Sequence, residues 1–270
     1  MIRRTQLIDG REHWLLIAQI DHAHVAGRIA QAWSNLWPAD ASDGDASALI
    51  ELVEAVFHHD DGWADWDAHP GVDPEKHRPR QFTEMLLDDS LAIWAKSIAV
   101  AERIGPLAAL TVSGHFSALL RHVNKWQKTY TPDDPKAREF LAAQDRLCAK
   151  SLEAWMSEDS RHTPSLAHRA VELLQFFDAV SLWLCCAERH ETQRMTTPDG
   201  VELILEPTTL APFEQTISVH PWPLQVVELR LIAETEAVPM TAYSDTEASE
   251  AIASRPIRLI WRLVPSAGPA

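Results

Sequence analysis

The residues best placed to do chemistry are His59 and Asp60, near the end of Asp45-Ala-Ser-Ala-Leu-Ile-Glu-Leu-Val-Glu-Ala-Val-Phe-His-His-Asp-Asp-Gly-Trp. Leu49, Leu52, Val53 and Val56 have the i, i+3, i+4, i+7 spacing of a buried helix face. Continued by one turn, that face meets His59 and Asp60, whereas His58 falls with Glu51 and Glu54 on the polar side. A carboxylate carried into a core is costly unless it is paired or bound to a cation. The pair therefore reads as an imidazole and a carboxylate offered to a metal.

The same phase test selects partners on three other helices. His22 extends the stripe Val25, Ala26, Ile29, Trp33 backward, while His24 sits with Arg28 and Gln31 on the wet side. His115 joins Ala108, Thr111, Val112 and Leu119, and Asp178 lies between Leu174 and Leu182. Four inward helices thus each bring a hard or borderline ligand, a donor set suited to a divalent transition metal such as Fe, Mn, Zn or Ni. Taken singly, each has a plainer reading. A lone His on an apolar face is often a hydrogen-bonded core residue, and Asp178 equally suits a buried bond to backbone. Asp61 is readable as a ligand, a general base, a group orienting a histidine or a turn residue.

The order His…His-Asp…Asp on a helical body resembles the HD-domain metal-dependent phosphohydrolases, and His59-Asp-Asp-Gly resembles the His-Asp-x-Gly form of their motif. That resemblance implies His22, His59, Asp60 and Asp178 as metal ligands, with His115 an additional histidine for a second metal or for substrate. Trp63 stands where such hydrolases often carry a phosphate-meeting Lys. Gln19-Ile-Asp-His, His59-Asp-Asp-Gly-Trp, Ser113-Gly-His-Phe, Leu174-Gln-Phe-Phe-Asp-Ala-Val-Ser-Leu and Pro221-Trp-Pro look like a bacterial family known only as domain of unknown function 3891. That second similarity runs through nearly the whole chain and implies no particular reaction.

The elements that must position these residues follow from periodicity and punctuation. Helices are predicted at 21–37, 46–60, 84–104, 106–127, 135–157 and 163–190, with Pro106 and Pro164 near helix starts. Strands at 2–8 and 13–17 flank Asp9-Gly10, a dipeptide that tolerates φ > 0 in a tight turn. Further β-prone runs lie at 201–205, 216–220, 226–232 and 256–264. Because two strands do not make a stable sheet alone, hairpin and C-terminal strands are expected to share one small antiparallel sheet. The expected fold is mainly α (α+β): one domain over 1–265, with an HD-like helical bundle at 21–190 and β elements at 1–20 and 200–265. The polar stretch 244–254 reads as a loop or short helix, and 266–270 as frayed.

Composition bounds the partners. Against 39 Asp+Glu stand only 24 Lys+Arg, for a formal charge of −15, so the cationic field a nucleic-acid or anionic-membrane binder needs is missing. The three cysteines, Cys148, Cys185 and Cys186, form no CxxC pair and suit a reducing compartment. No apolar run reaches a membrane span, and the N-terminal pattern is not that of a signal peptide. These features predict a cytoplasmic protein. A metal could still hold a small phosphorylated molecule on an acidic chain, with Trp63, Arg78 and Arg80 as candidate substrate contacts.

The expected function is hydrolysis of a small phosphate ester or nucleotide, with Asp61 or His115 moving protons. The alternative is an HD-like module that binds metal or nucleotide without turnover. A di-iron carboxylate bundle and a zincin are disfavoured, because neither Glu-x-x-His pairs on these helices nor His-Glu-x-x-His is present.

Overall fold

A computed structural model describes residues 1–37, 46–122, 131–187, 191–244 and 256–266. The chain opens with β1 (Ile2–Ile8) and β2 (Arg11–Ile17), joined at Asp9 and Gly10, whose φ angles of 51° and 77° give the tight turn its twist. Helices α1 (Gln19–Ala32) and α2 (Ala46–His58) follow, then a 3-10 turn at Asp61–Trp63 and the short α3 (Ala64–Ala68). A two-stranded ribbon, β3 (Val72–Asp73) and β4 (Arg78–Pro79), leads to α4 (Leu87–Ile104), α5 (Pro106–Arg121), α6 (Pro135–Glu158) and α7 (Pro164–Cys186). The chain then returns to strands: β5 (Gln193–Thr196), β6 (Glu202–Leu210), β7 (Glu214–His220), β8 (Leu229–Pro239) and β9 (Pro256–Pro265).

The expectation of a mainly helical HD-like bundle with a small sheet is corrected here. Among the described residues, helix accounts for 51% and strand for 26%, and seven strands join one sheet that curls into a half-barrel. Its order is β1-β2-β8-β9-β7-β6-β5, so the N-terminal hairpin is sealed to the C-terminal strands through β2 and β8. Nor is the sheet wholly antiparallel, since β7 and β9 run parallel from Glu214↔Ile260 to Val219↔Pro265. Strand β8 extends past the apolar run that announced it. Ala233, Thr235 and Ala237 continue the buried face while Glu234 and Glu236 point the other way, a period of two that carries charge on one side. Strand β5, Gln-Arg-Met-Thr, has no apolar run at all and exists through its pairing with β6.

One core joins sheet and helices: Ile2, Leu15 and Ile17 from the hairpin, Val25 and Ile29 from α1, Leu52 and Val56 from α2, and Leu173, Leu174 and Phe177 from α7. Strand β2 is buried on both faces, because Trp14 and Leu16 pack on the opposite side with Met1, Val238 and Tyr243. Among the described residues, six of the seven helices fall where helices were predicted, whereas α3 was not predicted, and α1 stops at Ala32 and α2 at His58. The parts of the predicted elements at 123–127 and 188–190, nearly all of the polar stretch 244–254 and the terminal residues 267–270 lie outside the described residues. Among the described residues, no helix is long and apolar enough to cross a membrane.

Candidate metal centre

Four segments converge on one buried point. Helix α1 supplies His22 from its first turn, and Asp67 from α3 fixes where that helix begins, its Oδ2 accepting the Gln19 backbone N–H at 2.7 Å. Helix α2 ends at His58, so His59 and Asp60 stand in the turn that follows it rather than on the helix. Gly62 seats that turn against α4: its N–H donates to Ser97 Oγ at 3.0 Å, and a Cβ there would lie 2.2 Å from the Ile93 carbonyl oxygen. No side chain fits, which is why the His-Asp-Asp-Gly run ends in glycine. Helices α5 and α7 bring His115 and Asp178.

The four inward ligands meet as two imidazoles facing two carboxylates. Asp60 Oδ2 lies 3.0 Å from His22 Nε2 and 3.7 Å from His59 Nε2. Asp178 Oδ1 lies 3.5 Å from each of the same nitrogens. The His22 and His59 rings meet edge to face at 5.3 Å, and His59 meets His115 likewise at 5.5 Å. His22 and His59 are fully buried, and Asp60, Asp178 and His115 are each less than one-tenth exposed.

Hydrogen bonds decide which nitrogen of each histidine faces inward. His59 Nδ1–H donates to the Val56 carbonyl at 2.8 Å, and its buried Nε2 has no hydrogen-bond partner. Ser181 Oγ donates to the Asp178 carbonyl at 2.9 Å and so is left to accept from His22 Nδ1–H at 2.8 Å. Both Nε2 atoms are thereby turned toward the carboxylates. Backbone or hydroxyl partners on the outer nitrogen are the usual support of a metal-ligating histidine.

Electron-rich atoms this close and this dry require positive charge between them. Burial works against charge on His59, yet Asp60 and Asp178 outweigh it and raise its pKa to about 9. Burial likewise opposes ionisation of Asp178, but the facing His59 imidazole, with His115 and His22 nearby, holds it at about 2. Asp60 is lowered in the same way, against its burial, by His59 and His22. Without a metal, a proton on His59 fills the gap. His22, His59 and Asp178 each offer an atom within 4.8 Å of the others, and Asp60 reaches the same two nitrogens. The residues present thus fit a divalent ion of the imidazole- and carboxylate-binding class.

His115 belongs to a different register. Burial lowers its pKa to about 4, only partly offset by Asp178 and Asp60, and its Nδ1 is buried without a hydrogen-bond partner. It is a neutral imidazole beside the cluster, outside the three-residue ligand group.

The remaining sequence candidates fall elsewhere. Asp61 turns outward, where its Oδ2 meets His58 Nδ1 at 2.9 Å, and His58 Nε2 lies 3.3 Å from Glu54. Trp63 is 3% exposed and packed in the core, with its indole N–H donating to Asp60 Oδ1 at 3.1 Å. Arg78 pairs with Glu84 at 2.6 Å, a carboxylate also held by Arg3, and half-buried Arg80 bonds through its backbone N–H to the Gly71 carbonyl. Sequence reasoning missed the supporting residues Ser181 and Asp67. Ser181 carried a signal, since it lies three residues after Asp178 and so on the same helix face.

Fold and site together define an α+β protein with a buried histidine–aspartate cluster of metal-binding composition. The chain belongs to the family described as Protein of unknown function (DUF3891), whose model matches residues 1–240 and so includes every residue of the cluster. No curated protein matches the chain, and no solved structure matches it.

Proposed function

We propose that this protein holds a divalent transition metal at His22, His59 and Asp178, with Asp60 alongside, and uses it to hydrolyse a small phosphate ester. The observation that carries this reading is the paired orientation of two buried Nε2 atoms, each fixed by a bond on the outer nitrogen, toward two buried carboxylates. An ion there would lower the pKa of a coordinated water and polarise a phosphoryl oxygen. Asp60 and Asp178 would balance the ion's charge, and Val56 and Ser181 would keep the imidazoles aimed. His115, uncharged at neutral pH and with a free nitrogen beside the cluster, suits the acceptance of a proton from water. Asp61 does not suit that task, because its carboxylate is engaged outside by His58. The net charge of −15 disfavours polyanionic substrates and leaves small phosphorylated molecules as the favoured class.

The burial of the cluster favours a second reading, a module that keeps a metal for structure or binding without turnover. A panel of phosphomonoesters and phosphodiesters, assayed with Mn, Ni or Mg against wild type and Asp60→Ala, separates the two. Turnover that vanishes in the variant supports the hydrolase. Tight metal retention with no turnover on any substrate supports the module.

A further inference from the structure

We infer that Trp63 is a positioning residue that restricts Asp60 to one metal-facing oxygen and so narrows the metals the centre accepts. The inference rests on the metal reading above. Asp60 has two oxygens with different surroundings. Oδ2 faces the two imidazole nitrogens at 3.0 and 3.7 Å, whereas Oδ1 accepts the Trp63 indole N–H at 3.1 Å. An N–H dipole aimed at Oδ1 places positive charge where a chelated cation would otherwise sit, so the carboxylate is biased to bind through Oδ2 alone.

The donor cannot drift. Trp63 is fully enclosed, its backbone N–H is bonded to the Asp60 carbonyl at 3.0 Å, and the turn that carries it is clamped to α4 through Gly62 and Ser97. Asp178 differs. It is the more exposed of the two carboxylates, with a side chain 12% exposed against 6% for Asp60, and no indole donor fixes it. The centre is therefore asymmetric: one carboxylate is held to a single bond and the other is less constrained. Restricting the number of protein oxygens favours ions content with four or five ligands over those that seek six or more.

The test compares wild type with Trp63→Phe, which keeps an aromatic ring and removes only the N–H, using Co(II), Zn(II) and Mn(II) as probes. The expected result is weaker visible Co(II) absorption in the variant, as Asp60 gains a second bond, and a Zn-over-Mn preference reduced about tenfold. A merely structural role for Trp63 would lower thermal stability without moving that spectrum. An unchanged spectrum and unchanged preference in a variant that binds Co(II) overturns the inference while leaving the metal centre intact. Wild type that takes up none of the three ions overturns the metal reading, and this inference falls with it. Should the variant fail to fold, the wild-type indole N–H resonance of Trp63 decides: a shift on saturation with Zn(II) is expected, and an unmoved resonance overturns the inference.

Discussion

Ser181 on α7 and His22 on α1 are joined by a 2.8 Å hydrogen bond that determines which nitrogen of His22 faces the carboxylates. Because Ser181 Oγ spends its own proton on the Asp178 carbonyl, the hydroxyl only accepts from the imidazole. Ser181→Ala therefore leaves a buried His22 N–H without a partner. Metal affinity should fall by about 10- to 100-fold, and the metal-free protein should lose roughly 1–3 kcal/mol. Metal titration and urea denaturation measure the two effects separately; an unchanged affinity would mean that His22 is not aimed by this bond.

Two neighbouring aspartates should behave oppositely. Asp61→Asn removes only an outward contact with a half-exposed His58, so metal content and stability should stay within about 0.5 kcal/mol of wild type. Asp60→Asn removes a buried charge from the cluster and should lose most of the bound metal. Equal metal loss in both variants would place Asp61 in the ligand set after all.

The cluster makes metal-free stability depend on pH with a definite sign. His59 is raised from 6.5 to about 9, so the stability it contributes is fully present below pH 6.5 and is lost as pH rises through 9. His115 is lowered from 6.5 to about 4, so the unfolded chain takes up a proton first and stability falls as pH drops from 6.5 through 4. Asp178 is lowered from 3.8 to about 2, so the stability from its ionisation is lost only as pH falls below 3.8 through 2. From these groups, stability should peak near pH 6.5, with an acid limb on the order of 3 kcal/mol. A metal replaces the His59 proton and should flatten the alkaline limb. Chemical denaturation from pH 4 to 9, with and without Zn(II), would reveal both; an alkaline limb indifferent to metal would contradict the exchange.

Gly62 is the tightest joint near the site. A methyl group there would meet the Ile93 carbonyl at 2.2 Å and Ser97 at 2.6 Å, both largely backbone, so neither neighbour yields easily. Gly62→Ala should cost about 1–3 kcal/mol and displace Asp60 along with the turn. A thermal midpoint lowered by several degrees together with weaker metal binding is expected, and a midpoint equal to wild type would mean the turn is free to shift.

The site was more legible than the sheet. Helical phase alone separated His59 from His58 and selected His22, His115 and Asp178, and the fold gathers these with Asp60 at one point. It did so although α2 ends at His58, because the turn that follows carries on the same inward course for two residues. Periodicity reports which way a residue faces and says little about what it meets. The hydroxyl of Ser181 and the carboxylate of Asp67 depend on how α7 and α3 approach α1, so their partners could not be read from spacing. Trp63 illustrates the same limit: read as a substrate contact, it is a buried donor to the aspartate three residues before it. The sheet was undersized because β8 runs on through Glu234 and Glu236, past the apolar run that marked its start, and polar β5 was marked by no apolar run. Pairing across distant segments, as between β2 and β8, supplied the rest.

Metal content tests the central claim most directly. Protein reconstituted with Zn(II), Mn(II) or Fe(II), freed of excess ion and measured by elemental analysis, should retain one ion per chain, and His59→Ala should retain almost none while keeping its secondary structure. Wild type that retains no ion under these conditions, or a His59→Ala variant that retains as much as wild type, would contradict it.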